Sequence, residues 1–559
     1  MTPVAWRRSG ERADRNASTI ADRRARPMWA WGMMATELSS ATISNSLEKQ
    51  IRPEIVIGIV SPVGIDLEQT SSAIRTALDN QVRYSSIEVR VSTLIDEFSR
   101  PEDREGAADT DRIRIRRLMN AGDRLRKTTD ENAVCAMLAI MAVREEREGL
   151  TGDASKPRSG TATIIRTLKH PEEVALLREV YGPRVVIVGV SDDPGVRERW
   201  LREYLPRPGD DREAVSRASG EASELIRRDE SDEQHKHGQQ VRDAFELCDV
   251  YLSTDRNELK KGAERLIRLL FGDPVVTPNR DEMGVWHAFA AKFRSSAAGR
   301  QVGAVITDED GEVLVTGCND VPAPGGGQHW DGDGGPDHRD HAMGYDANDR
   351  HKFILATELM QALKSEQWLS DRLLVESPEA LASQALFGRG NAAGPLKGRR
   401  VASLLEFGRI MHAEMAALMT AARRGTPVRD GTLYTTTYPC HECMRLILGS
   451  GIRRLVYVDP YPKSLVPELY GEHLGETSSS EDPRVKVEPF IGVAPRLVAR
   501  VFGQVGMRKR STDGSFHPWA GKHAPYVGEP DRFIDPVVLR EAVIAKMLRD
   551  TYLPLLDAP

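Results

Sequence analysis

The chain has 559 residues, of which 40% are hydrophobic and 29% charged, and its formal net charge is −6. A chain of this length is too long for one hydrophobic core, which predicts two large domains. The slightly negative net charge excludes a protein whose whole surface is cationic and coats nucleic acid. No apolar run is long enough to cross a bilayer and the five cysteines are too sparse for a disulfide framework, so we expect a cytoplasmic protein.

Residues 1–50 are predicted to be a disordered N-terminal extension. The first 27 residues contain seven arginines and three acidic residues, and the segment shows no sustained periodicity. An arginine-rich start would suit a transit peptide, but Glu11, Asp14 and Asp22 argue against one.

Residues 51–280 alternate between buried strands and amphipathic helices. The stretch EIVIGIVSPVGIDLEQTSSAIRTALDN, from Glu54, contains an apolar run, a turn and then an amphipathic helix. Residues 170–193 and 239–254 each predict a helix followed by a strand. Alternation of this kind predicts an α/β domain with a parallel sheet covered on both faces.

The turn from Gly58 to Gly64 lies where the phosphate-binding loop of a P-loop protein would be, between the first strand and its helix. A Walker A loop has the pattern G-x-x-x-x-G-K-[ST], whereas five residues separate these glycines and Ile65-Asp66 replace the Lys and Ser/Thr. Kinase activity is therefore not expected. Backbone N–H groups at a helix start still suit a phosphate, so Gly58, Ser61 and Gly64 are candidate nucleotide contacts; a purely structural turn is the alternative.

A second α/β domain is predicted over residues 281–559. Residues 302–317 read as a β-hairpin around Asp310-Gly311, and an insertion over residues 323–400 begins with a run rich in Gly, Asp and His. Beyond the insertion the pattern predicts a helix, a strand, a helix and a strand, at 412–424, 432–437, 440–448 and 453–458.

Two short motifs in this domain supply metal ligands. His412 and Glu414 are two positions apart, so they point to nearly opposite sides of a helix and serve one site only at its N-terminus. Cys440 and Cys443 follow Pro439 with the i,i+3 spacing of a helix start. One imidazole and two thiolates leave a fourth zinc position open, which is typical of a catalytic site. We therefore predict one catalytic Zn²⁺ per chain, with Glu414 carrying protons beside it.

The cysteines and the insertion each allow other interpretations. A lone CxxC is as often a redox pair or a structural zinc site, but the redox setting is missing here and a structural site would need a fourth Cys or His. Cys135, Cys248 and Cys318 read as small apolar residues. Seven residues of the insertion would suit a second metal or a lid over a triphosphate, with a flexible surface as the alternative: His329, Asp331, Asp333, Asp337, His338, Asp340 and His341.

The pattern H-x-E followed by P-C-x-x-C resembles the zinc-dependent cytidine and deoxycytidylate deaminases. The resemblance implies a three-layer α/β/α domain that hydrolyses the amino group of a cytosine. SSAAGRQVGAVITDEDGEVLVTGCND is similar to the start of a deoxycytidylate deaminase domain, which implies that Asn319 binds the sugar hydroxyl. Arg300 and Lys463, near the ends of core elements, are candidate phosphate contacts.

The substrate class follows from composition and from a second resemblance. The acidic balance and an aromatic content of 6% favour a free nucleotide over a polynucleotide. A P-loop-kinase-like domain ahead of a deoxycytidylate-deaminase-like domain resembles the bacterial anti-phage dCTP deaminases. The resemblance implies that dCTP, and also dCMP, is converted to the deoxyuridine nucleotide, by a homo-oligomer that an RNA or protein partner restrains. The alternatives are an RNA- or single-stranded-DNA-editing deaminase and an inert nucleotide sensor.

Overall fold

The chain divides into two compact units, Met1–Thr277 with Ala499–Pro559, and Pro278–Val498. The predicted extension over residues 1–50 and the candidate Lys463 lie outside the described residues. None of the described helices is both long and apolar enough to cross a membrane. The computed structural model describes residues 52–98, 111–190, 192, 194–204, 220, 222–229, 237–389, 393–397, 399–460, 464–475, 482–503, 513–515, 519, 521 and 537–556.

The first unit is built on a parallel sheet. Its strands are β1 Ile55–Val60, β2 Ser85–Arg90, β3 Thr161–Leu168, β4 Val185–Val190 and β5 Val250–Leu252. They lie in the order β2-β3-β1-β4-β5, and every neighbouring pair is parallel. All residues of β1 and β4 are buried, as expected for strands covered on both faces. The predicted α/β class is confirmed; the likeness to P-loop kinases stays a prediction.

Helices connect these strands, and several of them begin at a polar cap. The side chain of Asp255 accepts hydrogen bonds from the backbone of Asn257 and Glu258, and His170 with Glu173 forms a capping box. The helices are α1 Leu67–Val82, α2 Val91–Asp96, α3 Asp111–Thr129, α4 Val134–Thr151, α5 Pro171–Tyr181, α6 Pro194–Tyr204, α7 Val241–Phe245 and α8 Arg256–Leu270.

The C-terminal segment groups with the first unit, which differs from the predicted boundary at residue 281 to the chain end. The helix Val537–Met547 packs against α4, and the carboxylate of Glu541 lies 2.6 Å from the Arg147 guanidinium. Arg147 also pairs with Glu54 at 2.8 Å. Because both members of the Arg147–Glu541 pair are almost completely buried, removing either would leave an uncompensated charge in the core. The π-helical turn Leu548–Tyr552 and the helix Leu553–Leu556 follow.

The second unit is built on a mixed sheet in the order β7-β6-β8-β9-β11-β10. Strand β6 is antiparallel to β7 and β8, and the remaining pairs are parallel. The pairing of β6 with β7 confirms the predicted hairpin. The strands are β6 Gly303–Thr307, β7 Val313–Cys318, β8 Thr432–Thr437, β9 Arg454–Asp459, β10 Leu474–Gly475 and β11 Val485–Pro489. The two-residue strand Gly492–Val493 follows and is not part of this sheet.

Helices cover both faces of this sheet. Leu433 of β8 belongs to one hydrophobic cluster with Ala413 and Met444, whereas the next residue, Tyr434, packs on Gly284 on the opposite face. This alternation along a strand produces the three-layer arrangement. The helices are α9 Arg280–Lys292, α10 Asp340–Met343, α11 Ala347–Ser365, α12 Asp371–Leu374, α13 Pro378–Phe387, α14 Ala413–Arg424, α15 His441–Ser450 and α16 Val466–Tyr470. Helix α17 Pro495–Phe502 begins in this unit and continues past its last residue, Val498.

The insertion contains regular structure that the sequence analysis did not anticipate. Helix α11 begins after Asp346, whose side chain accepts a hydrogen bond from the Asp349 backbone, and α11 packs against α13. Within the described residues of α11, only Ala347 and Ala356 are fully buried. The insertion is therefore a thin helical layer whose apolar surface is mostly half-exposed.

Gly317 of β7 allows α14 to lie directly on the sheet. A Cβ atom added at Gly317 would be 2.3 Å from the Ala413 carbonyl oxygen and 2.5 Å from the Ala417 nitrogen. No side chain fits at these distances. The absence of a Cβ at this position thus sets how closely the N-terminus of α14 approaches the strand.

We expect Gly317→Ala to lower the free energy of unfolding by about 1–3 kcal/mol, because α14 must move away from β7. Gly449→Ala, in the last turn of α15, is the matched control, since a Cβ there meets open space. That control should be neutral or stabilising by up to about 1 kcal/mol. Urea unfolding followed by circular dichroism measures both, and a Gly317→Ala variant as stable as the wild type would contradict the role of the close approach.

Candidate metal centre

His412 lies at the N-terminus of α14, outside the helix proper. It is the N-cap residue, with an extended backbone, and its carbonyl accepts the hydrogen bond from Ala416 at 2.8 Å. Met411 and Asp320 exchange both backbone hydrogen bonds, at 3.0 and 3.2 Å, which ties the segment before His412 to the chain just beyond β7. The predicted placement of H-x-E at a helix start is confirmed.

The two cysteines lie at the N-terminus of α15. Cys440 is the N-cap residue and Cys443 is in the first turn; both are buried. Pro439 precedes the cap, because helix α15 begins at His441. Ser464 donates a hydrogen bond to the Pro439 carbonyl at 2.8 Å and so holds this loop in place.

The three candidate ligands converge. His412 Nδ1 is 3.3 Å from Cys440 Sγ and 3.4 Å from Cys443 Sγ, and all three donor atoms lie within 4.8 Å of one another. Ligands of one tetrahedral zinc should be roughly 3.5 Å apart, given Zn–N and Zn–S bonds of about 2.0 and 2.3 Å. The donor set therefore fits a single zinc ion. Two helix N-termini also point toward it, and their dipoles favour the thiolate forms.

Hydrogen bonds within the cluster redistribute its protons. The Cys443 thiol and the His412 ring lower the pKa of Cys440 to about 4. The hydrogen bond to Cys440 raises the pKa of His412, while the bond to Cys440 and burial raise the pKa of Cys443. A divalent cation would displace the remaining thiol proton, because only thiolates are good ligands.

Glu414 lies directly beside the three donor atoms, in the first turn of α14, and is only 3% exposed. Cys443 Sγ is 3.4 Å from Glu414 Oε2, and the Thr435 hydroxyl is 3.3 Å from Oε1. Burial raises the pKa of Glu414, so this carboxyl group holds a proton more readily than a surface glutamate. Thr435 was not predicted from the sequence. The one feature that could have indicated it is a polar residue on the apolar face of a buried strand.

The candidate Asn319 is held by the backbone of the segment before β6. Its Oδ1 accepts from the Val302 nitrogen at 2.6 Å, and its Nδ2 donates to the Arg300 carbonyl at 2.8 Å. An amide side chain has four hydrogen-bonding sites, so two remain for a ligand. The sugar contact stays a prediction.

Arg300 lies at the same sheet edge as the cysteines. Its guanidinium is 3.0 Å from Asp459, and the carbonyl of Asp459 accepts from the Tyr438 nitrogen, two residues before Cys440. With 44% of its side chain exposed, Arg300 remains accessible to an anionic group. Its role as a phosphate contact stays a prediction.

The seven acidic and histidine residues of the insertion do not assemble into a second metal site. Within the described part of the chain, the group at His412 is the one set of three such residues close enough to share an ion. In the insertion, Arg339 pairs with Asp337 at 2.7 Å and holds its pKa well below the usual range. Arg409 pairs likewise with Asp340 at 2.9 Å. Arginine side chains thus neutralise Asp337 and Asp340.

The contact between Arg294 and Trp330 was not predicted from the sequence. The Arg294 guanidinium stacks 3.5 Å from the centre of the Trp330 ring. Within the described residues, Arg294 Nε and His329 Nε2 are buried without a hydrogen-bond partner. Gln328 bonds both backbone groups of Cys318 and so anchors the segment that carries them.

In the first unit, the candidate phosphate loop is occupied by protein carboxylates. The Val63 nitrogen donates to Asp229 at 2.7 Å, and Asp66 caps α1 by accepting from the Glu68 backbone at 2.9 Å. A phosphate would have to displace Asp229 and lie beside Asp66. Lys169 Nζ also lies at this loop, 2.7 Å from the Ser61 carbonyl and 2.9 Å from Asp229. Nucleotide binding at this loop stays a prediction.

The three residues proposed for that loop have structural contacts. A Cβ at Gly58, which lies inside β1, would be 2.9 Å from side-chain atoms of Ile187 and Leu168. The Ser61 hydroxyl is buried and donates to the Pro62 carbonyl at 3.0 Å. Gly64 has a φ of +90°, which suits the turn before α1.

Zinc content provides the direct check of the ligand assignment. We expect the purified wild-type protein to contain one zinc per chain by plasma mass spectrometry, and Cys443→Ala or His412→Ala to contain almost none. Cys318→Ala, a buried cysteine of β7 outside the cluster, should retain the metal. Zinc retained in Cys443→Ala, or lost in Cys318→Ala, would contradict the assignment.

Comparison with known proteins agrees with this geometry. Residues 279–459 match the family model described as the cytidine and deoxycytidylate deaminase zinc-binding region. The deoxycytidylate deaminase of Enterobacteria phage T2 is 43% identical over 54 residues, which are 10% of this chain and 29% of the phage protein. The tRNA(Ile)-lysidine synthase of Deinococcus radiodurans is 37% identical over 142 residues, which are 24% of this chain and 23% of that protein.

Among solved structures, the dCMP deaminase from cyanophage S-TIM5 in complex with dCMP and dUMP is 15% identical, with a TM-score of 0.21; the match covers 38% of this chain and 99% of that chain. The chain spans less than a third of the length of the two curated relatives described. The second unit of the chain contains a cytidine and deoxycytidylate deaminase domain.

Proposed function

We propose that the second unit is a zinc-dependent deaminase of deoxycytidine nucleotides. The observation that carries this proposal is the convergence of His412, Cys440 and Cys443 beside a buried Glu414. Three ligands leave a coordination position for water, and the carboxylate beside them is placed to move protons. A structural zinc site would need neither the open position nor the buried acid.

The chemistry is a hydrolysis in which water replaces the exocyclic amine of cytosine and ammonia leaves. When bound, zinc supplies a Lewis acid that brings the pKa of water to about 7. Glu414 Oε2, on the side of Cys443, takes the proton from the attacking water. The same carboxyl group gives this proton to the ring nitrogen. It then takes the second proton, from the hydroxyl group added to the amine-bearing carbon, and passes it to the amine, which leaves as ammonia while that carbon becomes a carbonyl. Burial of Glu414 excludes bulk water from these transfers.

A free nucleotide is the substrate class that the charges favour. Arg300 is half-exposed at the sheet edge that carries the cysteines, and we propose it as a contact for the phosphate, with Lys463 and Asn319 completing the nucleotide site. The chain as a whole is acidic and poor in aromatic residues, which does not suit a long polynucleotide track.

We propose dCTP, and also dCMP, as the nucleotides, with depletion of the dCTP pool as an anti-phage defence in the cytoplasm. This part of the proposal rests on the resemblance to anti-phage dCTP deaminases. Under the same proposal the first unit senses nucleotides and the chain assembles into a homo-oligomer. An RNA or protein partner restrains the activity of this oligomer.

A polynucleotide deaminase is the second candidate function. The observation in its favour is the similarity to a protein named tRNA(Ile)-lysidine synthase. Such an enzyme should bind single strands with an affinity that falls steeply with salt, because phosphate contacts release counterions.

A substrate panel separates these functions. Ammonia release is measured with dCTP, dCMP, cytidine and a cytosine-containing single-stranded oligonucleotide. We expect turnover of dCTP and dCMP, with little from cytidine because it lacks the phosphate. Turnover of the oligonucleotide alone would favour the second candidate, and binding of dCTP without turnover would favour an inert sensor.

Glu414→Gln tests the assigned chemistry. The amide is nearly isosteric and cannot accept and return a proton, so we expect ammonia release from dCTP to fall at least about 10²–10⁴-fold. Zinc content and the urea midpoint should match the wild type. Full turnover in a Glu414→Gln variant that contains zinc would refute the role of Glu414.

A further inference from the structure

Thr435 is the polar residue of the site that neither the motifs nor the ligand set includes. It lies in β8, its side chain is completely buried, and its hydroxyl is 3.3 Å from Glu414 Oε1. Side chains alternate between the two faces of a strand, so Thr435 shares the face of Leu433, which packs in the apolar cluster with α14 and α15. An apolar residue would fit that face without the cost of burying a hydroxyl.

The carboxylate of Glu414 has two side-chain neighbours, and they differ in what metal binding does to them. Cys443 reaches Oε2 at 3.4 Å through its S–H hydrogen. A thiolate ligand carries no hydrogen, so this bond is lost when Cys443 binds a cation. The Thr435 hydroxyl keeps its hydrogen. Of these two contacts, the one from Thr435 therefore persists in the loaded site and leaves Oε2 free for water or substrate.

Thr435 is itself well fixed. Its hydroxyl lies 3.1 Å from the Thr437 carbonyl, and β8 is paired on both sides, with β6 and with β9. A β-branched side chain in a paired strand has few accessible rotamers. The hydroxyl can donate to or accept from Oε1 while staying near the Thr437 carbonyl. Glu414 is thus attached to the rigid sheet rather than only to its own helix.

We propose that Thr435 is a positioning residue: its hydroxyl holds Glu414 Oε1 against β8, so that Oε2 faces the three metal-binding atoms. This inference rests on the role of Glu414 in the proposed function. The competing explanation is that Thr435 merely satisfies its own hydroxyl through the Thr437 carbonyl. The two explanations differ in where the Glu414 carboxylate goes when the hydroxyl is removed.

Thr435→Val removes the hydroxyl with little change in shape. We expect kcat for dCTP to fall about 10–100-fold, the range usual for partners of catalytic groups, with KM unchanged. Thr435→Ser should restore most of the rate. Thr432→Val, on the same strand, is the matched control and should behave as the wild type. Thr435→Ala provides a second hydroxyl-free variant if the valine protein does not fold.

Crystal structures of the zinc-containing proteins give a readout independent of turnover. Glu414 should occupy one position in the wild type and Thr435→Ser, and a rotated or divided position in Thr435→Val or Thr435→Ala. A Glu414 carboxylate unmoved in the hydroxyl-free variants, with wild-type kcat, would overturn the inference. If the wild type deaminates no cytosine compound, the proposed function fails, and the position of Glu414 still decides what Thr435 does.

Discussion

The packing of four titratable side chains in one small volume, three of them buried and His412 half-buried, is the constraint on which the second unit depends. His412, Glu414, Cys440 and Cys443 lie within or at the edge of the apolar layer between the sheet and its helices, where an unpartnered charge is costly. They are tolerated because each has a partner in the same cluster and because two helix N-termini favour negative charge there. A divalent cation would complete this balance and would thereby link metal binding to the stability of the domain.

The scaffold explains how this cluster forms without long side chains reaching across open space. His412 and Cys440 are both N-cap residues, so each leaves its helix where the backbone turns. Gly317 lets α14 lie on the sheet. Strands β7 and β8 are both antiparallel to β6, so they end at one edge of the sheet, where the segments that carry His412 and Cys440 lie. Small residues and strand direction, rather than specific polar contacts, thus set the distance between the two motifs.

The first unit shows a different use of charge. Its buried ions form pairs within the protein, as with Arg147 and Glu541 or Arg126 and Glu173, which are 2.6 and 2.8 Å apart. The carboxylate of Asp229 likewise accepts a hydrogen bond from the Val63 backbone in the loop after β1. Such pairs fix the packing of helices on a parallel sheet, whereas in the second unit Cys443 lies against the carboxylate of Glu414 and the ring of His412.

Local pattern in the sequence determined β1, β4 and β5 of the first sheet and β6 to β9 of the second, the helix starts at H-x-E and P-C-x-x-C, and the three metal donors. Strand period, turn residues and ligand type are properties of neighbouring positions, whereas β2, β3, β10 and β11 were not predicted. Tertiary structure alone decided what depends on distant positions. Thr435 contacts Glu414, Glu541 pairs with Arg147, and Asp229 accepts a hydrogen bond from the loop after β1. Each contact joins residues that are far apart in the chain. The residues next to a single carboxylate or hydroxyl in the sequence do not indicate which distant group it contacts.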